Sequence, residues 1–263
     1  MNLPPPNHQR LRLDLAYCGT PWRGWQSQSE GDTIQEQLQS AVMRLTKLPQ
    51  ILAEAASRTD AGVHALGQVV HVDFPAALSI PHASLRDGLN ALLPETIRVL
   101  AICEAPAGFH ASLNATGKIY RYRIWRPRDM DPFEADRAWH IHGPLDLDNL
   151  HRAIQLLHGS HNFVRLSANP GAVPEELRRT DVSGHTRTLR RVELRKTCQT
   201  LEIELEGDAF LYHMVRLIVG ALLQLARGRT TLDWFTDLLA SPFGLQSQAM
   251  APAGGLYLVK VLY

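Results

Sequence analysis

The chain has 263 residues, enough for one large domain or for two modest domains that each bury a hydrophobic core. Hydrophobic residues make up 45% of the sequence and charged residues 20%, which is ordinary for a soluble globular protein. The formal net charge is only +1, so bulk charge does not indicate a nucleic-acid partner, and any such surface must come from local clusters of basic residues.

The first half of the chain predicts two helices and four strands. One helix begins at a capping box of Thr33 and Glu36, and a second opens at Pro81 and runs to about Leu93. Apolar residues at strand spacing predict the strands, at residues 10–17, 50–57, 67–74 and 96–103. The resulting order, β-α-β-β-α-β, is typical of a ferredoxin-like or RNA-recognition-like unit with an antiparallel sheet.

The second half predicts the same order with additions. Its elements are a strand, a helix, two strands joined by a short turn, a long helix that ends at Gly228, a short helix and a final strand, at residues 118–125, 146–159, 186–196, 200–207, 209–228, 231–240 and 255–263. We therefore predict an α+β fold of two related units, with an N-terminal domain at 1–106 and a C-terminal domain at 107–263. Residues 167–185 are rich in Pro, Gly and charge and predict a mobile surface insertion.

Membrane insertion is not indicated. The opening "MNLPPPNHQR" lacks the apolar segment of a signal peptide. Residues 209–226 are apolar and about long enough to span a membrane, but His213 and Arg216 lie near their middle. We interpret this stretch as a core helix, and we predict a cytoplasmic protein with no membrane partner.

The cysteine and histidine patterns favour neither a disulfide framework nor a metal site. The three cysteines lie far apart and form no C-x-x-C pair, so we expect reduced, buried thiols at Cys18, Cys103 and Cys198. Four histidines occur without cysteines or glutamates at the spacing of metal ligands: His140, His142, His158 and His161. We predict no metal.

Basic residues cluster with aromatic residues in the strand at 118–125. Residues 118–128 contain five cations and no acid, interleaved with Tyr120, Tyr122 and Trp125. Because alternate residues of a strand share a face, Lys118 lies with the tyrosines, whereas Arg121 and Arg123 lie on the other face. Such a strand suits unpaired bases and phosphates of RNA, although a solvated basic face is the alternative. Residues 178–196, with seven Lys or Arg against two acids, favour the RNA interpretation.

Asp60, in "SRTDAG" at 57–62, has three interpretations. An aspartic-protease site needs two carboxylates that share a proton, and the chain has no second D-T-G or D-S-G motif. Asp60 and Gly62 are also a common turn pair. In the third interpretation, Arg58 or Arg216 keeps Asp60 ionised, and its carboxylate is a nucleophile.

Arg216 is the only formally charged residue between Asp208 and Arg227. An interior arginine without a partner is unfavourable, so we expect an acid to meet it, and Asp60 is a candidate. The alternative is a helix-end arginine that reaches solvent.

Six stretches of the chain resemble the tRNA pseudouridine synthase A family. They follow one another in the family's order over nearly the whole chain: "YCGTPWRGWQSQ" (17–28), "SRTDAGVHALGQVVHVDF" (57–74), "LNALLPETIRVL" (89–100), "FHASLNATGKIYRY" (109–122), "GDAFLYHMVRLIVG" (207–220) and "PAGGLYLVKVLY" (252–263). The resemblance implies a pseudouridine synthase fold with an active-site cleft between its two units. It also implies a homodimer, without cofactor or metal, that converts uridine to pseudouridine at positions 38, 39 and 40 in the anticodon stem-loop of tRNA.

The resemblance also assigns roles to individual residues. Asp60 matches the family's catalytic nucleophile, Tyr120 the tyrosine that packs on the target base, and Arg216 the ion-pair partner of the aspartate. Arg58 matches the arginine associated with flipping and holding the nucleotide. We expect three further cations to bind substrate: Lys118, Arg121 and Arg123.

The chain departs from the family pattern at three places. Ser57 replaces a glycine that often precedes R-T-D, and Ser112 replaces the arginine of F-H-A-R. The second change removes an expected phosphate or pocket contact, and Arg121 or Arg123 is the candidate that compensates for it. The insertion at 167–185 has no firm counterpart in the family.

Overall fold

A computed structural model describes residues 4–78, 80–168 and 183–263. The predicted mobile insertion lies mostly outside these residues. The chain forms two compact units, the first made of Met1–Thr116 and Tyr257–Tyr263 and the second of Gly117–Leu256.

These units differ from the predicted domains 1–106 and 107–263 at both ends of the second domain. Residues 107–116 belong to the first unit because Arg10 donates a hydrogen bond from Nη1 to the Phe109 carbonyl, at 2.6 Å. The last strand also belongs there, since the Thr116 amide donates to the Leu262 carbonyl at 2.8 Å.

The first unit contains the predicted β-α-β-β-α-β order. Its elements are β1 (His8–Tyr17), α1 (Ile34–Thr46), β2 (Ala53–Ala55), β3 (His64–Pro75), α2 (His82–Leu92) and β4 (Ile97–Glu104), followed by most of β10 (Leu256–Leu262). The strands pair antiparallel in the order β4-β1-β3-β2. β10 pairs parallel with the start of β3, through Tyr257 opposite His64.

Local sequence signals explain the first unit's elements. The alternating apolar residues of β1 are all buried, because each points to the same face of the sheet: Leu11, Leu13, Leu15 and Tyr17. The capping box of α1 is confirmed, with the Glu36 amide donating to Thr33 Oγ1 and the Thr33 amide to Glu36 Oε2. The predicted strand at 50–57 is shorter than expected and covers only Ala53–Ala55.

The second unit contains β5 to β9 and three helices among the described residues. Its elements are β5 (Gly117–Trp125), β6 (Trp139–His140), α3 (Leu147–Leu156), β7 (Gly159–Asn162), β8 (Thr186–Lys196), β9 (Thr200–Gly207), α4 (Met214–Ala226) and α5 (Leu232–Ala240). Antiparallel pairing gives the order β5-β9-β8-β7, and β6 pairs parallel with β5.

The long helix α4 begins later than predicted. It starts at Met214 and not near residue 209, because His213 adopts a left-handed backbone with φ of 60°. Gly228, with φ of 68°, lies just beyond its end as predicted. Most of α4 is buried, which confirms a core helix, and no helix among the described residues is long and apolar enough to cross a membrane.

The cysteines are free thiols, as expected, but their predicted burial is wrong. Cys18 is half-buried, while Cys103 and Cys198 are exposed. Cys103 lies near the end of β4, whose last residues are mostly exposed, and Cys198 lies in the turn between β8 and β9.

Candidate active site

Asp60 lies in the loop between β2 and β3, which we call the Asp60 loop (residues 57–63). Its neighbour Thr59 is buried and anchors the loop from two sides. The Tyr17 hydroxyl lies 2.8 Å from Thr59 Oγ1, and the Trp25 amide donates to the Thr59 carbonyl at 3.0 Å. The residue directly before Asp60 is therefore fixed by β1 and by the segment that leads to α1.

A buried glutamine holds the start of the same loop. Gln68 on β3 is fully buried, and its Nε2 donates to the Ser57 carbonyl at 2.7 Å and to the Tyr17 hydroxyl at 3.2 Å. The Ser57 amide donates to Gln68 Oε1 at 3.3 Å. Sequence reasoning did not identify Gln68, although a polar residue directly before the valines of "QVVHV" was a signal for it.

The backbone of the Asp60 loop turns directly after Asp60. The Val63 amide donates to the Asp60 carbonyl at 3.1 Å, and Gly62 has the positive φ, 80°, that the third residue of a type II turn requires. The turn interpretation thus holds for the main chain of Asp60. It does not exclude a chemical role for the carboxylate, because the turn uses only the main chain.

Gly24 allows the backbone of another segment to approach Asp60 closely. A Cβ at this position would lie 2.6 Å from the Thr59 carbonyl oxygen and 3.0 Å from the Asp60 carbonyl carbon. Its φ of 91° is also unfavourable for any other residue. Only glycine fits, so the sequence "RGW" directly supports the Asp60 loop. Asp60 itself is half-buried, and Arg58 is exposed.

His64 follows the loop and forms part of its support. Its Nδ1 accepts a hydrogen bond from the Gly19 amide at 3.1 Å, and its ring stacks on Tyr257 at 4.6 Å between centroids. Because a main-chain donor occupies Nδ1, the neutral ring carries its proton on Nε2.

Tyr120 and Arg216 lie in the second unit. Tyr120 is buried on β5, and its ring meets Phe210 edge-on at 4.9 Å. Arg216 lies in the first turn of α4 and is half-buried, so neither its meeting with an acid nor its reach towards solvent is decided by its exposure. Its Nε donates to the Ala251 carbonyl at 2.8 Å, and the Ala251 amide donates to the Arg216 carbonyl at 3.0 Å.

The segment around Ala251 also fixes the tyrosine next to Tyr120 on the same face of β5. Tyr122 is fully buried and donates from its hydroxyl to the Pro252 carbonyl at 2.8 Å. Burial raises the pKa of the Tyr122 phenol, and the positive charge of Arg216 opposes that rise. Gly255 packs so closely on the Tyr122 ring that a Cβ would lie 2.6 Å from it.

The two arginines on the other face of β5 form ion pairs with acids. Arg121 lies 2.9 Å from Glu204 and 3.6 Å from Glu202, and Arg123 lies 2.8 Å from Glu134 and 3.4 Å from Glu202. The predicted division of faces is confirmed, since Tyr120 is buried opposite them. A phosphate would have to compete with these carboxylates for both arginines.

Glu204 connects the two basic clusters that the sequence indicated. It is buried and lies within 3.5 Å of Arg121, Arg191 and Arg195. Much of the apparent surplus of positive charge on β5 and β8 is therefore neutralised. Lys118 differs from the arginines, since burial and the charge of Arg187 lower its pKa.

A cluster of Glu54, His71 and His110 in the first unit resembles a metal site in composition, with ligand atoms within 4.8 Å of one another. Sequence reasoning considered other histidines and missed it. His110 Nε2 lies 2.9 Å from Glu54 Oε2, and His71 Nε2 lies 3.7 Å from the same oxygen.

Main-chain donors decide how these two histidines are protonated. The Ala111 amide donates to His71 Nδ1, and the Ser112 and Leu113 amides donate to His110 Nδ1. Each neutral ring therefore carries its proton on Nε2, facing Glu54, whereas a metal ligand needs a lone pair there. The cluster fits hydrogen bonding to a carboxylate better than metal binding.

The comparisons with known proteins agree with one another. A family model described as tRNA pseudouridine synthase matches residues 153–263. A curated tRNA pseudouridine synthase A of Akkermansia muciniphila is 39% identical over 97% of this chain and 95% of its own length. Those of Geobacillus kaustophilus and Geobacter sulfurreducens are 36% and 37% identical, over 97% and 96% of this chain and 95% and 99% of their own lengths.

Solved structures give a weaker likeness. The archaeal box H/ACA sRNP Nop10–Cbf5 complex aligns with a TM-score of 0.36 and 12% identity, over 81% of this chain and 43% of that chain. Such a likeness carries no argument about function. The sequence relatives do, because they match this chain from end to end at more than 30% identity. The chain belongs to the tRNA pseudouridine synthase A family, a family of isomerases.

Proposed function

We propose that the protein isomerises uridine to pseudouridine at positions 38, 39 and 40 in the anticodon stem-loop of tRNA. The observation that carries this proposal is the Asp60 loop. Gln68 bonds the Ser57 carbonyl and Tyr17 the Thr59 hydroxyl, both directly before Asp60. The backbone of Gly24 packs against Asp60 itself, so the loop is held in place as a fixed nucleophile requires.

The reaction needs a nucleophile, a stacking surface and a proton acceptor. The bond between N1 of uracil and C1′ of ribose breaks, the base turns, and C5 bonds to C1′. The C5 proton leaves and N1 gains a proton, so the product is an isomer of the substrate. The Asp60 carboxylate adds to the nucleotide, at C1′ of the ribose or C6 of the uracil, and is released when the new bond forms.

Tyr120 and Arg216 have distinct roles in this proposal. Tyr120 packs on the target base and assists removal of the C5 proton, and its edge-on contact with Phe210 supports a fixed ring position. Arg216 is the ion-pair partner of Asp60, and the hydrogen bond from its Nε to the Ala251 carbonyl supports a fixed guanidinium. The assignments to Asp60, Tyr120 and Arg216 rest on the family motifs.

A uridine in a stem must be flipped out before it can react. Arg58, which is exposed beside Asp60, is proposed to hold the flipped nucleotide. Lys118, Arg121 and Arg123 are proposed to bind the tRNA backbone, and the last two must exchange carboxylates for phosphates as they do so.

The finer architecture belongs to the same proposal. The antiparallel orders β4-β1-β3-β2 and β5-β9-β8 support two ferredoxin-like units. A homodimer and a cytoplasmic location rest on the family resemblance.

Pseudouridine mapping tests the proposal. Unmodified tRNA is incubated with the wild-type protein, with Asp60→Ala and with Asp87→Asn, which changes an exposed aspartate of α2 that pairs with Arg86. Carbodiimide-blocked primer extension then locates pseudouridine. We expect modification at positions 38–40 by wild type and Asp87→Asn and none by Asp60→Ala. Binding of tRNA without modification by the wild type would instead favour a non-catalytic RNA-binding protein.

A further inference from the structure

Three arginines lie in the second unit where β5 and α4 end, and we call them the arginine surface: Arg126, Arg227 and Arg229. The segment 139–146 contacts both places. Arg126 Nη1 donates to the Ile141 carbonyl at 2.7 Å, and the Asp146 amide donates to the Ala226 carbonyl at 2.8 Å. The arginine surface is therefore one continuous part of the second unit, and none of its members has a role in the site proposed above.

The positive charge of the arginine surface is not compensated by an ion pair among the described residues. Burial and the charge of Arg227 lower the pKa of Arg126, and burial and the charge of Arg229 lower the pKa of Arg227. Asp146 lies on the neighbouring segment, but its carboxylate caps α3 and accepts from the Asn149 amide at 2.9 Å and from Asn149 Nδ2 at 2.8 Å. Like charges that are held together in this way favour an anionic partner.

The end of α4 does not require these arginines as caps. Its last four carbonyls all accept hydrogen bonds from main-chain amides: Leu223 from Arg227, Gln224 from Arg229, Leu225 from Gly228 and Ala226 from Asp146. The guanidinium groups therefore remain available, and Arg229 is exposed. The dipole of α4 still favours cations here, so the experiment must separate stability from binding.

Aromatic rings accompany the arginines. Cζ of Arg227 lies 5.9 Å from the centroid of the Trp139 ring, close enough for a cation–π contact. The rings of His140 and His142 lie 5.7 Å apart on the same segment, and His142 is exposed. Guanidinium groups bind phosphates through paired N–H donors, and cations beside aromatic rings are typical of RNA-binding surfaces. This composition favours RNA over an acidic polypeptide.

The arginine surface differs from the basic strands in its electrostatics. On β5 and β8, four arginines form ion pairs with glutamates: Arg121, Arg123, Arg191 and Arg195. A phosphate must displace carboxylates from those arginines. At the arginine surface it has none of these glutamates to displace, so binding there keeps more of the electrostatic free energy.

We propose that the arginine surface binds backbone phosphates of tRNA, outside the residues that act on the target uridine. The identity of the RNA rests on the proposed function, whereas the phosphate chemistry rests on the three arginines.

The experiment measures the Kd of the full chain for unmodified tRNA at several potassium chloride concentrations. Arg227→Gln combined with Arg229→Gln removes two charges of the arginine surface. The matched control, Arg44→Gln combined with Arg86→Gln, removes two charges from α1 and α2 of the first unit. We expect the first double variant to weaken binding about tenfold at about 0.1 M salt and to flatten the plot of log Kd against log salt by about two units. The control should keep the wild-type Kd and slope.

Lysine variants separate charge from structure. Arg227→Lys combined with Arg229→Lys keeps both charges and removes the guanidinium groups. The salt slope should therefore stay at the wild-type value, and binding should weaken less than in the glutamine variant. If the arginines serve only the dipole of α4, the glutamine variant will have a lower thermal midpoint together with the wild-type Kd and slope. That result would overturn the proposal.

A second anion and the modification assay identify the partner. Polyglutamate is titrated against the wild type and the glutamine variant. Loss of polyglutamate binding in the variant, combined with an unchanged Kd for tRNA, would assign the arginine surface to an acidic polypeptide and overturn the RNA proposal. If the Kd and slope for tRNA are unchanged while the wild type forms pseudouridine, the phosphate site is wrong and the proposed function stands. Binding of tRNA that depends on the arginine surface, without pseudouridine formation by the wild type, would support the phosphate site and count against the proposed function alone.

Discussion

Replacing Gln68 by methionine should disturb the position of Asp60 and leave its carboxylate chemically unchanged. Methionine fills nearly the same volume and cannot bond the main chain of Ser57 or the hydroxyl of Tyr17, so three hydrogen bonds are lost. At about 1 kcal/mol for each bond, the free energy of unfolding should fall by about 3 kcal/mol. Because the Asp60 loop then loses its anchor, we expect the single-turnover rate to fall at least tenfold.

A matched control exists in the same unit. Gln35 is also buried and also makes three side-chain hydrogen bonds, to Gln26, Ser27 and Ala53. Gln35→Met should therefore cost about the same stability, measured by urea unfolding, without a comparable loss of rate in the folded protein. Equal rates for Gln68→Met and wild type, or equal losses for the two variants, would refute the role of Gln68 in positioning Asp60.

Three further predictions concern the same two units. Gly24→Ala should lower both the thermal midpoint and the rate, because its Cβ would lie 2.6 Å from the Thr59 carbonyl oxygen. A thermal midpoint, measured by calorimetry, and a rate that both equal those of the wild type would contradict this prediction. Burial, and the charges of Arg10 and His110, lower the pKa of His71 to about 4, below its ordinary value of 6.5. As the pH falls, His71 therefore becomes protonated in the unfolded chain before it does so in the folded protein. The free energy of unfolding should fall as the pH drops from 6.5 towards 4. The loss is about 2 kcal/mol at pH 5, and urea unfolding should show a smaller loss over this range in His71→Gln. Arg121→Ala combined with Arg123→Ala should weaken tRNA binding and flatten its salt dependence, and an unchanged slope would remove both from the phosphate contacts.

The order and type of the main elements could be predicted because their signals are local. The alternation in β1 and the capping box of α1 depend on residues that are neighbours in sequence. The start of α4 could not be predicted, because no sequence signal indicates the left-handed backbone of His213. The short strands β6 and β7 were also missed, because strands of two and four residues carry no measurable alternation.

The partners of charged residues were harder to predict than the elements. Arg121 and Arg123 lie opposite Glu204 and Glu202 across β5 and β9, and only the register between these strands brings them together. Gln68 was missed for the same reason, since its partners lie on β1 and in the Asp60 loop. The motif residues Asp60, Tyr120 and Arg216 were identified through a family resemblance, and the structure adds the main-chain contacts that hold the Asp60 loop and Arg216.

The most direct test of the account is single-turnover pseudouridine mapping with Asp60→Asn, which keeps the size of the side chain and removes its charge. The variant should stay folded and keep a Kd for tRNA close to that of the wild type, while pseudouridine at positions 38–40 disappears. Full modification by Asp60→Asn would contradict the assignment of Asp60 as the nucleophile.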